Sequence, residues 1–534
     1  MRKINSLLFI LLALLIVTVS CSEKDELQIP PNSDEKTINT VSQFVYDGLS
    51  AYYLWSDDMI NKKPSINDKD PEKYFESLLF KTDTDNGWSW ITDDAKGLKG
   101  DFAGEPESLS FGYSLSFIQT RDNSIFAFIK YVYANTPASN AGLQRLDLIR
   151  EINGQPITTE IGTNLISERD INLLYGNNAA TFTVYKLTDE GIIFNKEMKI
   201  APSTIKTDPI LFDKVYNVGD KKIGYLFYTD FISNYNNRLF EVFSKFKTEG
   251  VTDLVLDLRY NLGGGIDAAS YLVSLFTSEA SLKEKTILTT LSYNEFLNKY
   301  YDNKNWSRSY KLGDYQEKDE YDKEGNIKYK AAPNPLGANL DLSKVYIIAT
   351  KNSASASELI TFCSRPIMGE LNVIHIGDTT RGKYTASFTV HPYDKEIGNT
   401  TYSERGLSTK EKNILKNWAM QPIVAIYKDK NGKDFLNPGY LKPDYLLKEG
   451  FGYIENWKPI GDPKDVFFGQ ALYLITGDES YKPIEPISTR ALNVKREIIE
   501  LPTRIDDAKP LIIDNMRLTP EDFKEITRMR NSNN

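Results

Sequence analysis

The sequence predicts a multidomain α/β protein, and three observations carry that prediction. Lys221 to Phe231 reads as a buried strand, Asn237 to Lys247 as a helix and Asp253 to Leu258 as the next strand, an alternation that gives a core of parallel strands. From Asp101 to about Ile205, apolar and polar residues alternate in short runs between turn residues, so a separate β-rich unit is expected there. Val41, Phe44, Val45, Leu49, Tyr52 and Tyr53 recur at helical spacing, with a second helix near Pro71 to Phe80, which marks a small N-terminal helical domain. At 534 residues, with 41% hydrophobic and 26% charged residues, the chain has material for several packed cores.

Taken in order, Arg2 and Lys3, then Leu7 to Val19, then Ser20-Cys21, follow the charged, apolar and small-residue pattern of a secretory signal. Cys21 directly follows a small residue at the end of the apolar stretch, so the segment resembles a bacterial lipoprotein signal in which that cysteine is lipidated. The next residues, Ser22-Glu23-Lys24-Asp25-Glu26, resemble the acidic export signal of Bacteroidetes surface lipoproteins. That resemblance implies a cell-envelope protein, lipid-anchored to the outer membrane and facing either side of it, with the anchor as its only membrane contact. The expected divisions are a signal over residues 1–21, a tether over 22–36, a helical domain over 37–100, the β-rich unit over 101–205, an α/β core over 206–477, and a C-terminal extension of unassigned role over 478–534. Within the core, residues 281–330 are polar and rich in Tyr, Asn, Lys and Asp, and read as an inserted hairpin or cap, or as a surface loop.

A formal net charge of −9 argues against a nucleic-acid partner. Apart from Cys21 the only cysteine is Cys363, so no internal disulfide is expected, and Cys363 reads as core. Two histidines, His375 and His391, leave no His-rich metal site. His375 lies in the apolar run Val373 to Ile376 and reads as a packed strand residue. His391 precedes Pro392 and reads as loop.

Chemistry concentrates at two places in the core. Val345 to Ala349 should leave a buried strand, turn, and enter a helix, with Ser355 at the turn near the positive end of that helix. The same residues also form an S-x-x-E capping box, Ser355 with Glu358, which needs no chemistry at all. The second place is Asp257-Leu258-Arg259-Tyr260-Asn261-Leu262-Gly263-Gly264-Gly265, where three glycines after a buried strand let backbone approach a ligand closely.

DLRYNLGGG, then SASASE, then Gly382-Lys383, in that order, resemble the C-terminal processing or tail-specific serine proteases, which use a Ser-Lys dyad. The resemblance implies a crotonase/ClpP-like α/β core, Ser355 as nucleophile, Lys383 as general base, and an oxyanion hole from the amides of Ala356 and of Gly263 or Gly264. Lys383 follows Ser355 by 28 residues, slightly more than is usual in the family, and Ser387 stands where family members commonly carry an orienting Gln. A lysine can take the serine proton only when desolvation or a nearby cation keeps it neutral; Arg381, two residues away on an extended segment, is the candidate cation, although it reads more readily as a solvated surface charge.

Phe111-Gly112-Tyr113-Ser114, the run from Thr136 to Ile149, and Ile152-Asn153-Gly154 resemble a PDZ domain, with Phe111, Gly112 and Tyr113 at its peptide-binding loop. Such a module takes an extended C-terminus as an added strand. The reading is therefore a serine endopeptidase acting on protein or peptide substrates recruited by their tails, without metal or cofactor. Its alternative is a catalytically silent peptide-binding surface lipoprotein of the same fold.

Overall fold

The computed structural model describes residues 38–103, 109–120, 122–188, 191–449, 458–483, 499–501, 511–513 and 518–532. The expected signal with Cys21 and the tether over 22–36 lie outside the described residues. Among the described residues, no helix is long and apolar enough to cross a membrane.

The fold is a mixed α/β multidomain one. Its centre is a six-stranded sheet in the order Tyr445–Leu446, Val373–Gly377, Val345–Ala349, Asp253–Asp257, Lys221–Tyr228, Ile210–Val218. All neighbours are parallel except the last pair. Parallel strands covered on both faces read as near-continuous apolar runs, and Val345–Ala349 is buried along its whole length. Side-chain alternation then sorts the strands' residues between two cores. Leu254, Leu256, Val345 and Ile347 pack with the helices Asn236–Glu249, Ile266–Phe276 and Ala356–Met368, while Val255, Tyr346 and Ile348 pack against the helix Val466–Thr476 on the other face.

A second six-stranded sheet runs Gly263–Gly265, Leu511–Ile513, Thr385–Ser387, Ile423–Asp429, Ile287–Tyr293, Ser309–Lys311. This corrects the expected insertion over residues 281–330. Ile287–Tyr293 is an interior strand paired to Ile423–Asp429, and Leu288, Leu291 and Tyr293 are buried in the main core. Only the pair Glu320–Tyr321 and Ile327–Tyr329 forms a small exposed hairpin. The strand was hidden by its two central threonines, Thr289 and Thr290, and by the polar residues around it.

The helix Thr40–Tyr52, capped by Asn39, and the helix Pro71–Leu78, capped by Asp70, pack on this same core rather than standing apart from it. The strands Tyr113–Gln119, Ile125–Val132, Asp147–Ile152, Ala180–Thr188 and Gly191–Ile200 form an antiparallel sheet with its own core around Phe111, Leu115, Phe117, Ile149 and Phe182. The C-terminal extension is part of the architecture. Ile499–Leu501 pairs with Tyr113–Gln119, Leu511–Ile513 enters the second sheet, and the helix Pro520–Ser532 packs on Thr40–Tyr52 and on Glu295–Lys304.

Candidate active site

Ser355 sits between Val345–Ala349 and Ala356–Met368 with φ 62° and ψ −113°, a backbone conformation that a residue bearing a Cβ adopts only when its surroundings impose it. Those surroundings are visible. Thr350 N–H donates to Ser353 Oγ at 2.8 Å, and Ser353 Oγ donates to Leu258 O at 2.7 Å. Thr350 Oγ1 donates to Arg259 O at 2.6 Å, Ser357 Oγ to Asn261 O at 2.9 Å, and Ala354 N to Asn261 O at 3.1 Å. The small polar residues of TKNSASAS are therefore rivets to the loop that begins with Asp257. Ala356 is the first helical residue, so its amide is among those with no intrahelical acceptor.

The expected capping box is only half used. Ser355 N–H donates to Glu358 Oε2 at 2.7 Å, but Ser355 Oγ is buried and has no hydrogen-bond partner among the described residues. Leaving a buried hydroxyl unmatched costs about 1–3 kcal/mol, a cost that a structural cap would avoid. Glu358 has a larger task. Lys383 N–H donates to the same Oε2 at 2.8 Å, and Gly382 N–H donates to Oε1 at 2.8 Å. Tyr427 Oη bridges the same two residues, reaching Ser355 O at 3.5 Å and Lys383 O at 3.3 Å. One carboxylate and one phenol thus tie the backbones of Ser355 and Lys383 together. Burial holds the Glu358 carboxyl above its usual range, against the lowering effect of Thr380 and the three backbone amides.

Lys383 is 0% exposed, and its pKa falls from 10.5 to about 7. Desolvation is the main cause; Arg381 pushes the same way, and Asp83 and Glu358 oppose it. Asp83 is a buried carboxylate that accepts hydrogen bonds from Tyr53 Oη at 2.7 Å and Ser89 N at 2.8 Å. Since Ser355 Oγ has no partner, the serine and lysine are not hydrogen-bonded to each other in this arrangement.

The glycine strand supplies the facing wall. Gly263 N–H donates to Asn261 Oδ1 at 2.8 Å, while Gly263 O and Gly265 N both bond to Phe231. Strand alternation then turns the amide of Gly264 to the opposite side, toward Leu511–Ile513. Gly264 has φ +139°, and a Cβ there would lie 2.3 Å from Phe231 O, so only glycine fits. The loop is fastened from beneath by Arg259, which is fully buried and forms forked pairs with Asp257 and Asp465 at 2.6 Å each. Tyr260 and Glu449 extend this network to Arg145 of the antiparallel β unit. Beside the glycines lies a cleft of about 530 Å³ lined by residues including Trp90, Asp101, Tyr133 and Asp230. Burial raises the Asp230 pKa from 3.8 to about 7.

Ser355, Ala356, Gly263, Gly264, Lys383 and Ser387 converge on one region. Ser387 is buried, and its backbone pairs with Ile423 and Ile513. Phe111 and Tyr113 lie apart, buried in the core of the β unit, and Gly112 N–H donates to Ser110 Oγ at 3.0 Å. His375 is a buried strand residue, as expected. His391 is not loop: it is a buried strand residue whose Nε2 bonds Lys416 O at 3.1 Å. Cys363 is buried and free, its thiol pushed up by desolvation. The anchoring by Glu358 and Tyr427 and the tail strand beside Gly264 escaped sequence reasoning; only the S-x-x-E spacing pointed toward the first. Among the described residues no cluster of His, Cys, Asp and Glu is arranged to hold a metal ion.

A serine at a strained strand-to-helix turn and a desolvated lysine tied to it through Glu358, with a glycine strand on the adjoining loop, form a candidate hydrolytic site. The model of peptidase family S41 matches residues 222–446, and that of the peptidase S41 N-terminal domain matches residues 40–90. Over these two stretches the chain is similar to peptidase family S41. It is 26% identical to the carboxyl-terminal-processing protease of Picosynechococcus over 66% of this chain and 67% of that one. It is also 26% identical to a CtpA-like serine protease of Staphylococcus epidermidis, over 28% of this chain and only 27% of the relative's length. A crystal structure of a Bacteroides fragilis protein assigned to the S41 proteases superposes with a TM-score of 0.60 at 23% identity, covering 81% of this chain and 97% of that one, and so shares the fold.

Proposed function

We propose that the chain hydrolyses peptide bonds of protein substrates as a serine endopeptidase. Ser355 Oγ attacks the carbonyl carbon while Lys383 Nζ takes its proton, and the amides of Ala356 and Gly264 hold the oxyanion; the C–N bond then breaks as Lys383 returns that proton to the departing amine, and water, deprotonated by Lys383, releases the acyl group from Ser355. The observation that carries this reading is the shared carboxylate. Glu358 Oε2 accepts from both Ser355 N and Lys383 N, so nucleophile and base are positioned as one unit. With Lys383 titrating at about 7, much of the base is neutral at neutral pH. Gly264 is the better of the two glycine candidates, because the amide of Gly263 is already engaged with Asn261.

The same proposal includes a crotonase/ClpP-like core and a PDZ-like unit that takes substrate C-termini along the edge of Tyr113–Gln119. It also includes a lipid anchor on Cys21 that holds the enzyme at the outer membrane, and no nucleic-acid partner. A second reading, a peptide-binding protein without turnover, draws on one observation: Ser355 Oγ makes no hydrogen bond to Lys383. Cleavage of an unfolded protein with an apolar C-terminus separates the two. Loss of cleavage in both Ser355→Ala and Lys383→Ala, with folding retained, is the expected result. Binding of that tail by wild type without any cleavage would sink the peptidase reading.

A further inference from the structure

The proposed nucleophile and base are both 0% exposed, so no polypeptide reaches them in this arrangement. Beside the glycine strand runs the chain's own tail. Leu511–Ile513 runs parallel to the glycine strand with Leu511 beside Gly263, Ile512 beside Gly264 and Ile513 beside Gly265. On its other side Ile513 pairs, again parallel, with Ser387 of the strand that begins two residues after Lys383. The tail therefore fills a slot one strand wide. One wall carries the proposed oxyanion amide and the other follows the proposed base. Without it, two edges about 10 Å apart would face each other with their backbone donors and acceptors unmatched.

A second contact of the same kind lies upstream. Ile499–Leu501 adds antiparallel to Tyr113–Gln119, with Leu501 beside Phe117, Glu500 beside Ile118 and Ile499 beside Gln119. Leu501 is 2% exposed and joins the core of the β unit. Its direction carries the tail from Gln119 toward the Phe111-Gly112-Tyr113 loop, the sense in which an added peptide strand approaches that loop. Neither segment falls within the residues matched by the family models, which end at 446.

We infer that the slot between Gly263–Gly265 and Thr385–Ser387 is the seat of the substrate backbone, entered parallel to both walls, and that residues 511–513 are its intramolecular occupant. Residues 499–501 occupy the tail-binding edge in the same state. An extended polypeptide must displace both before Ser355 is reached. This rests on the peptidase reading above, but occupancy is measured by binding and does not need turnover.

The probe is a fluorescent synthetic peptide covering residues 499–517, titrated by anisotropy into full-length Ser355→Ala and full-length Ser355→Ala/Ile512→Pro. Proline at 512 removes an amide from the tail strand and disfavours its pairing. The peptide is expected to bind the double variant at least tenfold more tightly than the single one, and Ile512→Pro alone should lower KM for an unfolded protein about tenfold. Equal peptide affinities would overturn the inference even if wild type cleaves protein. Conversely, the affinity difference without cleavage by any variant would reject the peptidase reading and leave occupancy standing. Amide hydrogen exchange on the unaltered chain guards against a misfolded variant: residues 511–513 should be protected, and exchange there at the rate of an unstructured peptide also overturns the inference.

Discussion

With its ammonium buried, Lys383 gives up its proton near pH 7 instead of 10.5, and two consequences follow. The neutral, proton-accepting form grows as pH rises, so kcat/KM should climb to a plateau with an apparent pKa near 7. Arg381→Gln removes a cation that lowers this pKa and should move the profile up, whereas Asp83→Asn removes an anion that raises it and should move the profile down. Opposite or absent shifts would unseat Lys383 as the base. Stability runs the same way. Below pH 7 the lysine is charged in folded and unfolded chains alike and the folded chain bears the whole burial penalty. Between about 7 and 10.5 only the unfolded chain stays charged, so the penalty fades as pH rises. Lys383→Met should therefore stabilise the protein at pH 6, by at most on the order of 5 kcal/mol, and by less at pH 9. Thermal melts at the two pH values check this, and a destabilised, pH-independent variant would contradict it. Glu358 shows how far a sequence can be read at this scale. Its spacing from Ser355 was plain as a helix cap, but its bonds to Gly382 and Lys383 join residues that only the fold brings together. Glu358→Gln places an amide donor among backbone donors. It should cost about 1–3 kcal/mol and lower kcat more than tenfold with KM nearly unchanged; a pure loss of stability with normal kcat would make Glu358 merely structural.

Among elements, those buried on both faces were legible and those closed by distant partners were not. Val345–Ala349 and Ile266–Phe276 announce themselves by continuous or helically spaced apolar residues. Ile287–Tyr293 does not, because its threonines are satisfied by neighbours such as Lys428 O, 2.8 Å from Thr289 Oγ1, which lie far along the chain. The strand Leu511–Ile513 is three apolar residues in a polar extension, and its pairing depends on two edges more than 100 residues upstream. The DLR segment holds an intermediate place. Its approach to the glycines was readable, while the role of its arginine was not. Arg259 joins the end of Asp253–Asp257 to Asp465 at the start of Val466–Thr476, with both carboxylates desolvated. Arg259→Met should leave two buried carboxylates without their cation and cost about 3–5 kcal/mol, measured by denaturant unfolding. A loss below 1 kcal/mol would mean that water or Arg145 takes over the site.

Across the whole molecule the described pieces of the C-terminal tail reach the β unit, the second sheet and the N-terminal helices. It adds a strand to the β unit at 499–501, crosses the candidate active site at 511–513, and ends as a helix on the N-terminal helical domain. That last helix is firmly held. Ile526 is fully buried, Tyr300 donates to Asp522, and Arg530 is bonded to Ser56 and to Asp57 while its guanidinium lies 4.7 Å from the Phe296 ring. Docking at both ends gives residues 511–513 a high effective concentration in the slot. Loosening the far end should therefore open the site from a distance. Ile526→Asp puts a charge into that buried contact and releases the helix, while leaving Ser355, Lys383 and the slot untouched. The expected result is a several-fold fall in KM for an unfolded protein, smaller than that of Ile512→Pro because residues 511–513 can still pair in the slot, with kcat little changed. Combining the two substitutions should add little to Ile512→Pro alone, since both act through one displaced strand. Full additivity in that double variant would show that the terminal helix acts on the site by another route.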